Sequence, residues 1–128
     1  MILTPDEIEL LELAVEDYSE LFIAEWRLRT LFPDYSDFKL KQRAQKAIHS
    51  LWTNELITFF YRDSWIGGNY TPVLRGQEEA VLDNAENWKK PSADDTGYFC
   101  FVCTDKGDWV YQNDAQVYTY LKQVRRAY

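Results

Sequence analysis

Histidine occurs once in this chain, at His49, and cysteine twice, at Cys100 and Cys103. A zinc site needs several such ligands at defined spacing, and one Cys-x-x-Cys pair with a single distant histidine does not supply them. The pair sits in Tyr98-Phe99-Cys100-Phe101-Val102-Cys103, which reads as a buried strand. Residues three apart in a strand point to opposite faces, so the expectation is two diverging thiols, reduced and inert, with no metal. Glycine is scarce, with five in the chain, and the adjacent pair Gly67-Gly68 lacks the strand-to-helix setting and further glycines of a nucleotide-binding loop. Long apolar runs are missing too. Leu21-Phe22-Ile23-Ala24 is far too short to span a bilayer. Met1-Ile2-Leu3 leads straight into Thr4-Pro5-Asp6-Glu7, with neither the basic start nor the apolar stretch of a signal peptide. These features point to a soluble cytoplasmic protein with no membrane association.

Catalytic arrangements are equally thin. A Ser-His-Asp or Cys-His group would have to use His49, which projects from the exposed flank of a helix. The acid pairs Glu78-Glu79 and Asp94-Asp95 fall in polar, solvated segments. No catalytic residue and no cofactor is expected, and the chain reads as non-enzymatic.

The 128 residues are 46% hydrophobic and 16% aromatic, enough for one domain with a proper core that needs neither disulfides nor metal. Five Trp and nine Tyr are generous for this length, and some of them can serve at a surface. Charge is distributed unevenly. The chain carries 14 Lys and Arg against 21 Asp and Glu, a net charge of −7. Residues 1–25 hold eight acids and no base, whereas residues 26–52 hold six bases and two acids.

Local signals divide the chain into elements. Thr4-Pro5-Asp6-Glu7 combines a cap, a proline suited to the first helical position and a capping-box glutamate, and Ile8, Leu11 and Val15 follow at helical spacing. No Gly or Pro separates this helix from a second one over Glu20 to Leu31, so the two could be one long helix. A break near Asp17-Tyr18-Ser19 is preferred, because a single helix would be long for a domain of this size. Pro33 ends that helix, Ser36 caps a third, and Asn54 stands where a helix end takes the left-handed conformation. On the third helix Leu40, Ala44, Ala47, Ile48 and Leu51 share one side. Lys39, Gln42, Arg43, Lys46 and Ser50 share the other, with Lys41 on the flank. Leu56 to Tyr61 is a strand. Residues 62–97 are the least regular part, with a short helix at Gln77 to Ala85. A strand over Tyr98 to Cys103 follows, then a helix capped by Thr104. A restart at Asp114 leads to a terminal stripe of Val117, Leu121 and Val124.

Three helices, a strand, a long excursion, a returning strand and a final helix resemble the winged helix-turn-helix superfamily. The resemblance rests on Ala47-Ile48-His49-Ser50-Leu51-Trp52-Thr53-Asn54-Glu55-Leu56-Ile57, similar to a helix turning into the first wing strand. It rests also on Phe101-Val102-Cys103-Thr104-Asp105-Lys106-Gly107, similar to a wing strand entering a Thr-x-x-Gly helix start. Together these elements cover most of residues 4–62 and 98–112. The implied fold is α+β: three N-terminal helices, a small antiparallel sheet with a wing insertion at 62–97, and a helical segment over 104–128.

The resemblance implies that helix 36–54 would enter the major groove and touch DNA through Lys39, Gln42, Arg43, Lys46 and Ser50. The acidic whole-molecule field opposes a polyanion. A protein partner or a second copy is therefore the first reading, in a regulatory or neutralising role, and DNA is the alternative. Trp65, Tyr70 and Trp88 in the insertion, with Tyr118 and Leu121 in the last helix, are the candidate interface anchors. Whether the basic third helix faces solvent or the acids of the first is left open by the sequence.

Overall fold

The computed structural model describes residues 2–63, 68–90 and 97–124. The first helix, α1, spans Pro5–Glu16 and begins on the expected capping box. Thr4 Oγ1 accepts the Glu7 amide at 3.2 Å, and Glu7 Oε1 accepts the Thr4 amide at 3.1 Å. The break after α1 is real, and it contains a feature the sequence reading missed. Asp17 is fully extended, and Ser19–Glu20 forms a two-residue strand, β1. Helix α2 then runs over Leu21–Leu31 and α3 over Asp37–Thr53. Ser36 caps α3 by accepting the Lys39 amide at 3.2 Å.

Strand β2 covers Ile57–Arg62 and pairs in antiparallel register with β4, Tyr98–Cys103, from Ile57 opposite Cys103 to Arg62 opposite Tyr98. Strand β3, Tyr70–Pro72, pairs with the outer side of β2, and β1 pairs with the other side of β4. The sheet order is β1-β4-β2-β3. Side chains alternate along these strands, so Ile57, Phe59 and Phe101 face the helices and are almost wholly buried. Among the described residues the fold is α+β, six helices with a four-stranded antiparallel sheet.

The excursion between β2 and β4 contributes to both the sheet and the core. Its β3 extends the sheet, and helix α4, Glu78–Asp83, leads into a 3₁₀ turn over Ala85–Trp88. These bury Val81, Leu82 and Trp88 in the main core cluster. The expected surface role of Trp88 is thus corrected. Asn84 Oδ1 accepts the Glu86 amide and starts the turn that carries the indole inward, where Nε1 donates to the Leu82 carbonyl at 2.9 Å.

The corner after α3 also departs from expectation. Asn54 keeps a negative φ, and Glu55 takes the left-handed conformation with φ 62°. The Leu56 amide donates to Leu51 O and the Glu55 amide to Trp52 O, both at 2.9 Å. This is a Schellman closure with glutamate in the place usually taken by glycine. The N-terminus of α5, Asp105–Asn113, docks on the same corner. The Thr104 amide donates to Leu56 O at 3.0 Å and Thr104 Oγ1 to Glu55 O at 2.6 Å. A Cβ at Gly107 would collide with that Leu56 carbonyl, so Gly107 permits the docking and is not merely a weak helix residue. Asp114 restarts the chain as α6, Ala115–Thr119, followed by a π-helical turn over Tyr120–Val124.

Two substitutions test this corner in urea titrations. Glu55→Gly should stabilise the fold by about 0.5–1 kcal/mol, since glycine carries no Cβ penalty in the left-handed region. Gly107→Ala should cost about 1–3 kcal/mol through overpacking. Unchanged midpoints for both variants contradict the corner geometry.

Candidate functional site

Helix α1 is packed by α2, α3, α5 and β4. Its acids Asp6, Glu7, Glu9 and Glu12 are consequently buried, Glu9 to 1% exposure. An ionised carboxylate taken out of water costs several kcal/mol unless opposite charge and hydrogen bonds replace the lost hydration. Each of the four has such partners. Arg27 of α2 donates through Nη1 to Glu9 Oε1 at 3.1 Å and to Glu12 Oε1 at 2.9 Å. Tyr120 Oη donates to the second oxygen of Glu9 at 2.7 Å, and Tyr111 Oη to that of Glu12 at 2.6 Å. Burial works against the charge on Arg27. Its hydrogen bonds to Glu12 and Glu9 outweigh that and leave its pKa above the usual arginine value.

The remaining two acids reach the candidate DNA face of α3. Arg43 grips Asp6 with both edges of its fork, Nε to Oδ2 at 2.9 Å and Nη2 to Oδ1 at 3.0 Å. Such bidentate pairs are the strong kind, and this bond is the main reason that the Arg43 pKa is raised. The guanidinium also lies 4.4 Å from the Phe32 ring centroid and 5.2 Å from that of Tyr35, where aromatic faces attract cations. Ser50 Oγ donates to Glu7 Oε2 at 2.7 Å. Two of the five residues expected to contact DNA are therefore occupied by α1. The question left open by the sequence is answered: α3 presents its outer side next to the acids of the first helix.

Lys39, Gln42 and Lys46 remain exposed. The Lys39 ammonium lies 4.2 Å from the Tyr35 ring centroid. Lys46 borders a groove of about 380 Å³, shared with Thr4, Glu7, Arg43 and Ser50. Asp6 and Glu7 line that groove together with Arg43 and Lys46, so its charge is mixed.

The candidate protein anchors separate. Trp65 lies outside the described residues, and Trp88 is in the core. Leu121 is half-buried against the core, whereas Tyr118 is 64% exposed. Tyr70 is partly exposed and stacks on Tyr18, ring centroids 3.9 Å apart. Trp26 and Trp109 are exposed, at 54% and 65%, and the sequence reading did not single them out. A signal existed for Trp109. It stands among Asp105, Asp108, Gln112 and Asn113, a polar flank on which an indole has no core to enter.

The two thiols lie on opposite sides of β4, as the register requires, Cys100 opposite Phe60 and Cys103 opposite Ile57. Both are free, Cys100 is buried and Cys103 is half-buried, which corrects the expectation of two buried thiols. Burial pushes the Cys100 thiol up to about 12, and burial likewise raises Cys103. Among the described residues no group of three or more His, Cys, Asp or Glu is placed to hold a metal ion, and no helix is long and apolar enough to cross a membrane.

The Cys100 shift has a testable sign. The unfolded thiol ionises near its ordinary value of 9 while the folded one stays protonated to about 12. The folded state binds more protons in that window, so stability falls as pH rises from 9 to 12. Tyr98 and Tyr70, raised first by burial, add the same sign at the alkaline end. Denaturant midpoints should drop between pH 8 and 10.5, and Cys100→Ala should reduce the slope. A slope identical in wild type and variant contradicts the assignment to Cys100.

No protein-family model, no curated protein and no solved structure matches the chain. What the site does must be argued from its own geometry.

Proposed function

We propose that this protein is a non-enzymatic, winged-helix-like binding protein that works through protein contact, in a regulatory or neutralising role. The order of elements supports the fold reading. Helices α1, α2 and α3 come before β2, β1 lies between α1 and α2, and β1 pairs with the returning strand β4, which pairs with β2. We read this order and pairing as winged-helix-like, with β3, α4 and a 3₁₀ turn inserted into the wing.

One observation carries the functional reading: the Arg43 guanidinium is bound to Asp6 at both edges. A helix that grips phosphates needs its cations unpaired, since affinity for DNA comes largely from counterion release at such contacts. Arg43 could reach a phosphate only by giving up a bidentate carboxylate and leaving Asp6 buried without its charge partner. Ser50 is held in the same manner by Glu7. A net charge of −7 adds long-range repulsion toward polyanions and attraction toward basic protein surfaces.

The DNA alternative keeps one specific observation, the exposure of Lys39, Gln42 and Lys46 on α3. Fluorescence anisotropy with a short labelled duplex at low salt separates the two. Non-specific DNA binders reach a Kd of about 10⁻⁴–10⁻⁶ M, and the expected result is no binding across that range. Salt-dependent binding that is lost in Arg43→Glu/Lys46→Glu reverses the conclusion.

A further inference from the structure

The excursion between β2 and β4 folds back over one end of the sheet and lines a cleft there. On β2 the side that faces the helices carries Ile57, Phe59 and then Tyr61, and the register sets Phe99 opposite Tyr61 as it sets Phe101 opposite Phe59. Phe59 and Phe101 are almost wholly buried, whereas Tyr61 and Phe99 are only half-buried. The rings of Tyr61 and Phe99 lie 5.2 Å apart between centroids, tilted by 59°. They form the floor of a cavity of about 390 Å³. Val73 and Leu74, leaving β3, make one wall, and Ala80 and Val81 of α4 make the other. The volume falls in the range of small-molecule sites, about 300–1,000 Å³.

The lining is selective in charge. In a chain of which 27% is charged, no Asp, Glu, Lys, Arg or His among the described residues borders this cleft. The groove beside α1 holds Asp6, Glu7, Arg43 and Lys46, and the cleft at the start of α4 holds His49, Arg75 and Glu79. An ion entering the neutral cleft would lose its hydration with no opposite charge to replace it. The occupant it fits is uncharged.

Besides Tyr61, the polar side chains of the lining are the carboxamides of Gln77, Asn84 and Asn87. Two of these are already tied at one end. Asn84 Oδ1 accepts the Glu86 amide at 3.0 Å, and Asn87 Nδ2 donates to the Val81 carbonyl at 2.9 Å. Those bonds settle which end of each carboxamide is oxygen and which is nitrogen. Asn84 Nδ2 and Asn87 Oδ1 make no further hydrogen bond among the described residues. One donor and one acceptor thus stand on a single turn, and Trp88, the next residue, anchors that turn in the core. Side chains held in place before binding lower the cost of ordering them.

We propose that this cleft binds an uncharged aromatic small molecule that carries a carboxamide or lactam. Its ring lies against Tyr61 and Phe99, its carbonyl accepts from Asn84 Nδ2, and its N–H donates to Asn87 Oδ1. Tilted and offset aromatic contacts are favourable, and an amide is the neutral group that offers one acceptor and one donor to that pair. The site goes beyond the protein-contact reading and does not depend on it.

Benzamide is the probe, titrated to about 5 mM into the isotopically labelled full chain and followed by NMR. Toluene and benzoate are the comparisons. Toluene keeps the ring and lacks the amide, and benzoate keeps the outline and carries a charge. Benzamide should bind with a Kd of about 1 mM or below and shift the amide signals of Val73, Val81, Asn84, Asn87 and Phe99. Toluene should bind about tenfold more weakly or worse, the factor that a hydrogen bond contributes, and benzoate should not bind. Asn84→Asp keeps an oxygen for the Glu86 amide, and so keeps the turn, but exchanges the free donor for a charge. It should weaken benzamide by about tenfold or more. A thermal melt shows whether the variant is folded, and the difference between benzamide and toluene tests the same bonds without any substitution. The proposal is overturned by an absence of benzamide-dependent shifts, by shifts away from the cleft, or by toluene or benzoate binding as tightly as benzamide. Unchanged affinity in folded Asn84→Asp overturns it as well.

Discussion

Four carboxylates buried on one helix are the constraint around which the rest of this protein is arranged. Asp6, Glu7, Glu9 and Glu12 would be intolerable in the interior if left alone. Each element packed around α1 brings a group to meet them, or lies against one that does. Arg27 comes from α2, Arg43 and Ser50 from α3, Tyr111 from α5, and Tyr120 from the turn after α6. The apolar core would tolerate small slides between helices, because burial is not directional. A two-oxygen clamp at 2.9 and 3.0 Å would not. The polar network thus fixes which face of each helix turns inward, and the hydrophobic cluster supplies most of the burial.

The same network sets what the surface can do. Placing acids at the inner end of the α3 face removes Arg43 from the pool of free cations and leaves lysines interspersed with carboxylates. Within the most basic stretch of the sequence Arg43 is thus held by Asp6, and Lys46 shares its groove with Asp6 and Glu7. On the other side of the sheet Arg62 donates to Tyr98 Oη and has Glu20 near enough to act on its charge, without a direct carboxylate contact.

Much of the local structure was legible because local chemistry determines it. Thr4, Ser36, Thr104 and Asp114 cap their helices through hydrogen bonds within three residues, and the strand over Tyr98–Cys103 appears with the expected limits. The two-residue β1 was not legible, since two residues carry no period. Its existence depends on β4, some 80 residues later by the pairing of Ser19 with Phe101. Trp88 was misplaced for a similar reason, because the turn that buries it follows from contact with α2 and the core. The site itself had one readable sign. Ile8-Glu9-Leu10-Leu11-Glu12-Leu13-Ala14 puts apolar residues on every side of α1, and a helix that is apolar all round is buried. Acids within it then demand partners, though nothing in the sequence names Arg27 or Tyr120 as those partners.

The central claim is that Arg43 is held by Asp6 and is therefore unavailable to an external anion. A double-mutant cycle with Asp6→Ala, Arg43→Ala and the double variant, read as unfolding free energies in urea, measures that bond directly. A bidentate, partly buried pair should show a coupling of about 1–2 kcal/mol, favourable in the wild type. A coupling indistinguishable from zero would mean that the two side chains are independent and the α3 face is open, which contradicts the account.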